Sequence, residues 1–226
     1  MIKCIFFILF LATATTVRAQ DDPEYKMEIG AGAGLVTYQG DFNGNLFKES
    51  QPMASLLLRR TFSPWAALKL SAMAGKAKGS SANVETIYPD QTDAPYTFDR
   101  SLYDACLSFE YNFMPYGTGR DYRGAKRLVP FAFIGLGAVV ASGNGKTAAG
   151  LSMPIGIGMK YKIGKRLNLG VEWAMHFSQN DELDGAKDPY GIKSSGMFKN
   201  KDSYSMLQIG VSYDIWAKCR TCHNDE

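Results

Sequence analysis

MPIGIGMKYKIGKRLNLGVEWAMHF, residues 153–177, decides the fold. Met153, Ile155, Ile157, Met159, Tyr161 and Ile163 alternate with Ser152, Pro154, Gly156, Gly158, Lys160 and Lys162. After Gly164-Lys165-Arg166 the alternation resumes: Leu167, Leu169, Val171, Trp173, Met175 and Phe177 stand against Asn168, Gly170, Glu172, Ala174 and His176. A period of two is that of a strand, so the two runs and their tight turn form a hairpin. Each run has 11 residues, beyond the about 5–6 of an ordinary globular strand. A tilted strand crossing a bilayer needs about 9–11 residues, apolar toward lipid and small or polar toward a lumen. A soluble sandwich or lipocalin-like barrel shares the period with its apolar face turned inward; the strand length favours the membrane barrel.

The same rule extends outward from this hairpin. Tyr25 to Tyr38 sets Met27, Ile29, Ala31, Ala33 and Leu35 against Glu28, Gly30, Gly32 and Gly34. These glycines occupy alternate strand positions and not a strand-to-helix turn, so they read as a cramped inner wall and not as a phosphate loop. Met53 to Arg60 and Trp65 to Lys76 make a second hairpin over Thr61 to Pro64, with Leu57 and Met73 interrupting the polar inner face. Leu102 to Phe113 alternates most cleanly, and Val129 to Val140 and Ser203 to Trp216 complete eight strands. The expectation is an all-β, eight-stranded antiparallel transmembrane β-barrel, OmpA- or OmpW-like in size. Residues 40–52, 77–101, 141–151 and 178–202 read as long polar loops at one end, and 61–64 and 164–166 as tight turns at the other. Met114 to Leu128 is longer than the tight-turn end predicts. With short turns assigned to the periplasm, both termini lie there.

Met1 to Ala19 reads as an export signal, with Lys3 in the charged region, Ile5 to Leu11 as the apolar core and Val17-Arg18-Ala19 as the cleavage site. The expected organisation is signal peptide 1–19, outer-membrane barrel 20–216 and periplasmic tail 217–226. The residue directly after the cleavage site is Gln20 and not cysteine, which argues against a lipid anchor. Beyond the signal no apolar run reaches 18 residues, so no spanning helix is expected. Removing Lys3 and Arg18 leaves 23 basic against 22 acidic residues, and no global field points to nucleic acid.

An eight-stranded barrel is narrow enough to be filled by its own side chains. Parity places Glu28, Asp104, Glu110, Glu172 and Asp214 inside with Arg59, Lys69, Lys160 and Lys162, five acids facing four bases. Such a set is read as a charge-paired core and not as an ion pathway. Catalysis is not expected. His176 neighbours Ser178 and shares a strand with Glu172, but parity turns it inside, away from a lipid substrate, and no local nucleophile motif accompanies it.

The tail contains Cys219-Arg220-Thr221-Cys222-His223, the C-x-x-C-H pattern of c-type haem attachment. Haem needs a burying pocket and a second axial ligand, and only Asn224, Asp225 and Glu226 follow. Zinc needs about four ligands, and the tail offers three. No cofactor and no metal is expected. In an oxidising periplasm, either Cys219 pairs with Cys222 or one of them bonds a cysteine on a partner. Cys106 is expected inside the barrel, out of reach of the tail.

The second half carries a resemblance. Val129-Pro130-Phe131-Ala132-Phe133-Ile134-Gly135-Leu136-Gly137, Met153 to Lys162, Leu169-Gly170-Val171-Glu172 and the cysteine-containing end resemble the PorG family, the outer-membrane barrel of the type IX secretion system. Glu28-Ile29-Gly30 and Tyr38-Gln39-Gly40-Asp41 are similar to that family's opening strand and its exit. The resemblance implies a structural component of a secretion apparatus that contacts a PorK-like lipoprotein and a PorN-like periplasmic ring protein. Met114 to Leu128 and the tail are where such contact is expected. The alternative is a free-standing small barrel with a passive envelope or porin-like role.

Overall fold

The structure, a computed structural model, describes residues 25–39, 49–80, 97–118, 124–143, 146–179 and 202–217. The expected signal peptide, parts of the loops, and Cys219 and Cys222 lie outside the described residues. Eight strands follow in order: β1 (Tyr25–Gln39), β2 (Gln51–Ser63), β3 (Ala66–Ser80), β4 (Thr97–Asn112), β5 (Leu128–Gly143), β6 (Lys146–Lys162), β7 (Leu167–Ser178) and β8 (Ser203–Ala217). Each pairs antiparallel with its neighbour, and β1 pairs with β8, so the sheet is a closed barrel. Closure leaves no strand edge, which is the condition for crossing lipid without unpaired backbone groups. No helix among the described residues is long and apolar enough to cross a membrane.

Alternation sets the two faces. Leu56, Leu70, Leu107, Ile134, Leu136 and Ile157 are exposed on the outer wall, far more apolar surface than a soluble fold leaves in water. Exposed aromatics, Phe62, Tyr111, Phe113, Tyr161, Tyr213 and Trp216, ring the short-turn end, as aromatic girdles do at the edge of a bilayer. The molecule is a membrane β-barrel. The register at Leu57 and Met73 is the one the sequence favoured. Met73 is buried inward across from Asp104, and Leu57 lies inward across from Ser71.

The strands run past the expected ends. β3 and β4 stay paired to Ser80↔Thr97, and β5 and β6 to Gly143↔Lys146. Residues 141–151 are therefore mostly strand and not a long loop, and residues 77–80 and 97–101 of the expected second loop are also strand. The outer face there carries an ion pair, Lys78 Nζ to Asp99 Oδ2 at 3.0 Å. Beyond the lipid an outward residue no longer has to be apolar, so the ladder continues where the hydropathy pattern stops. The tail boundary moves by one residue, since β8 includes Ala217.

At the other end β2 turns into β3 over Pro64-Trp65, with Ser63 Oγ accepting from the amides of Trp65 (3.2 Å) and Ala66 (3.1 Å). The longer β4–β5 connection folds back under the barrel. Tyr116 N donates to Pro64 O, Lys126 N to Pro115 O, and Lys162 N to Arg127 O. Both strand termini, Tyr25 and Ala217, sit at this same end.

Candidate functional site

The lumen is built in three tiers, each set by strand parity. In the middle, β1, β2, β3, β4, β6 and β7 contribute Glu28, Arg59, Lys69, Glu110, Lys160 and Glu172, all buried. The Arg59 guanidinium reaches Glu28 (2.5 Å), Glu110 (2.7 Å) and Glu172 (3.5 Å). Lys69 Nζ lies 2.8 Å from Glu172 and 3.2 Å from Glu110, and Lys160 Nζ lies 2.5 Å from Glu110. Glu110, at 0 % exposure, is thus shared by three cations. Three acids and three bases cancel, and each charge is hydrogen-bonded, which burial demands.

Phe131 and Phe133 of β5 point inward and are buried, stacked at 6.0 Å. Lys160 Nζ lies 4.2 Å from the Phe131 ring centre and Lys69 Nζ 4.2 Å from that of Phe133. These rings fit because β6 presents glycine opposite them. A Cβ on Gly158 or Gly156 would stand 2.5 Å from Phe131 Cζ or Phe133 Cζ. One void of about 20 Å³ lies among Glu28, Ser55, Arg59, Lys160, Glu172 and Gln208, room for about one water.

The lower tier closes the short-turn mouth. Lys162 Nζ meets Asp214 Oδ2 at 2.5 Å, and Asn168 Nδ2 donates to Asp214 Oδ1 at 2.8 Å. Tyr116, brought under the barrel by the β4–β5 connection, donates its hydroxyl to Asn168 Oδ1 at 2.8 Å, with Lys162 Nζ 5.3 Å from its ring centre. Burial pushes the Tyr116 phenol well above its usual value, so it donates as a neutral hydroxyl.

The upper tier gathers Asp104 and Cys106 of β4, Ser152 of β6, His176 of β7 and Tyr204 of β8, every one buried. Tyr204 donates to Asp104 Oδ2 at 2.5 Å and stacks on the His176 ring at 4.6 Å. Cys106 Sγ lies 2.8 Å from Asp104 Oδ1. His176 Nδ1 faces both Ser152 Oγ (3.3 Å) and Asp104 Oδ2 (3.7 Å). A nucleophile triad needs the acid and the serine on opposite ring nitrogens; here both meet Nδ1, and the layer is sealed from lipid. Above it Tyr38 packs edge-on against Phe98 at 5.0 Å and donates its hydroxyl to Asp202.

The nine lumen charges expected from parity all lie inside, divided among the three tiers: Asp104 above, Lys162 and Asp214 below, the other six between. Arg100 and Asp202 are buried too, in stretches that sequence patterning assigned to loops. Tyr116 and the inward phenylalanines were also missed. Gly135 and Gly137, which share the parity of Phe131 and Phe133, were the available signal.

No curated protein sequence matches the chain. Among solved structures, similar ones include Neisserial surface protein A (12 % identity, 84 % of this chain and 97 % of that one, TM-score 0.49). The attachment invasion locus protein Ail of Yersinia pestis, in complex with a heparin analogue, is 12 % identical over 85 % of this chain and 99 % of its own, TM-score 0.48. The outer membrane protein OprG of Pseudomonas aeruginosa is 12 % identical over 88 % and 99 %, TM-score 0.48. A family described as "Domain of unknown function (DUF6089)" matches residues 2–224, and the chain belongs to it.

Proposed function

We propose that this barrel is a non-conducting structural anchor in the outer membrane, and that it serves a protein-secretion apparatus of the type IX kind. The observation that carries the first part is the lumen. A pore needs a continuous aqueous path, whereas Arg59, Lys69 and Lys160 are locked onto Glu28, Glu110 and Glu172 across the bore, and the void beside them is about 20 Å³, room for about one water. Such a wall gives mechanical hold in lipid and leaves interaction to the two ends.

The secretion role rests on the PorG-like motifs in β1, β5, β6 and β7. In that reading the short-turn end and the tail face the periplasm and meet a PorK-like lipoprotein and a PorN-like ring protein, with an intermolecular disulfide through Cys219 or Cys222 as one means of attachment. The β4–β5 connection contributes less than its length suggests, because Tyr116 is committed to the lumen mouth. No enzymatic step and no nucleic acid enters this reading.

Two measurements test it. Purified barrel in planar bilayers should give no steady conductance; a large, selective channel would overturn the anchor. Affinity purification from cells in mild detergent should recover ring proteins in fixed ratio, and Cys219→Ser or Cys222→Ser should abolish any reductant-sensitive larger band. Recovery of the barrel alone would leave a free-standing envelope barrel, a reading favoured by the closed, charge-paired wall.

A further inference from the structure

From the upper tier, we propose that Asp104, Cys106 and His176 form a binding site for a divalent zinc-type cation inside the barrel, independent of the partner the barrel serves. One ligand atom from each of the three side chains lies within 4.8 Å of the others, and all three residues are buried. Tetrahedral zinc, with bonds of about 2.0–2.3 Å to carboxylate, imidazole and thiolate, sets its ligand atoms roughly 3.3–3.8 Å apart, within reach of this cluster by small side-chain adjustments. The fourth corner has its own donor. Ser152 Oγ stands 3.3 Å from His176 Nδ1, 3.3 Å from Tyr204 Oη and 3.9 Å from Cys106 Sγ.

A further observation points to a missing cation. In the middle tier every carboxylate meets Lys or Arg, but Asp104 is met by Cys106, Tyr204 and His176, none of them a fixed cation. A buried carboxylate without a counter-charge is costly. When the ion binds, the Cys106 thiol loses its proton to solvent as the sulfur–metal bond forms. One carboxylate and one thiolate then balance two positive charges, and the site becomes neutral. The mixture of thiolate, imidazole and carboxylate suits zinc and not calcium or magnesium, which take oxygen. Tyr204, donating to Asp104 Oδ2, orients the carboxylate.

The tail carries its own cysteines and a histidine, so the test uses full-length protein with Cys219→Ser, Cys222→Ser and His223→Asn. Refolded into detergent with zinc and then dialysed, it should retain about one zinc per barrel by elemental analysis, against the single site argued here. Cobalt in place of zinc should give a thiolate-to-metal charge-transfer band. Cys106→Ser should lose that band, His176→Asn should lose stoichiometric zinc, and Tyr204→Phe should weaken binding by roughly tenfold or more. Folding of each variant is read from its mobility difference between unheated and boiled samples on a denaturing gel. Calcium and magnesium should not be retained. No retained zinc in the folded parent, zinc uptake unchanged in Cys106→Ser and His176→Asn, or a cobalt spectrum without thiolate character would each overturn the site. Because the last reading comes from the parent alone, failure of a variant to fold does not protect the proposal.

Discussion

Glu110 holds three cations at once, so its charge cannot be removed without leaving the middle tier unbalanced. Glu110→Gln keeps the shape and deletes the charge; three bases would then face two acids in a dry bore. Unfolding by urea in detergent should show a loss of about 3–5 kcal/mol, and a loss within experimental error would mean that the pairing adds nothing. At Gly158 the demand is steric. Gly158→Ala drives a methyl into Phe131 and against the Val171 carbonyl and should cost about 1–3 kcal/mol, while Phe131→Leu in the same chain should recover the part owed to the ring. If the double variant is no more stable than the single, the ring is not what the glycine accommodates. At this scale the lumen charges were legible, because a charged residue among alternating apolar ones can face only the lumen. Phe131 and Phe133 were not, since VPFAFIGLGAVV is apolar at both parities and the apolar-outward rule is silent there.

The strands themselves were readable wherever lipid imposes a pattern. Where β3 and β4 rise beyond it, Lys76, Lys78, Thr97 and Asp99 occupy the outer face and the sequence looks like loop, although the ladder persists. Leu136, exposed midway along β5 and paired with Leu107, belongs to the part lipid governs. Leu136→Arg should cost about 2–4 kcal/mol at the bilayer midplane, and the same change at Lys78 little. Equal costs at both positions, measured by unfolding in lipid vesicles, would contradict the assignment of the lipid belt. The β4–β5 connection behaves as a lid and not as a free loop. Its length said nothing of this, because what fixes it is long-range bonding: Tyr116 N to Pro64 O, Lys162 N to Arg127 O and, from the side chain, the bond from the Tyr116 hydroxyl to Asn168. Tyr116→Phe removes that bond and should destabilise by about 1 kcal/mol. Conductance should stay absent, since the middle tier remains; a current appearing in this variant would locate the seal at the mouth instead.

Across the whole molecule, eight strands in a meander make nearly every neighbour local in sequence, with one exception: β1 and β8, paired from Tyr25↔Ala217 to Gln39↔Ser203. That seam joins the two ends of the described chain, so its contacts have the largest sequence separation in the fold and form at the greatest loop-closure cost. Until it forms, β1 offers one open edge and the growing sheet another, each able to pair with a foreign strand. Half a barrel is therefore not half as stable as the whole. Until then Leu56, Leu70 and Leu136 belong to an unfinished wall, and the chain becomes a discrete object only when residues 203–217 arrive. Its last strand works as the clasp of a necklace, and both open edges stay exposed until that clasp shuts.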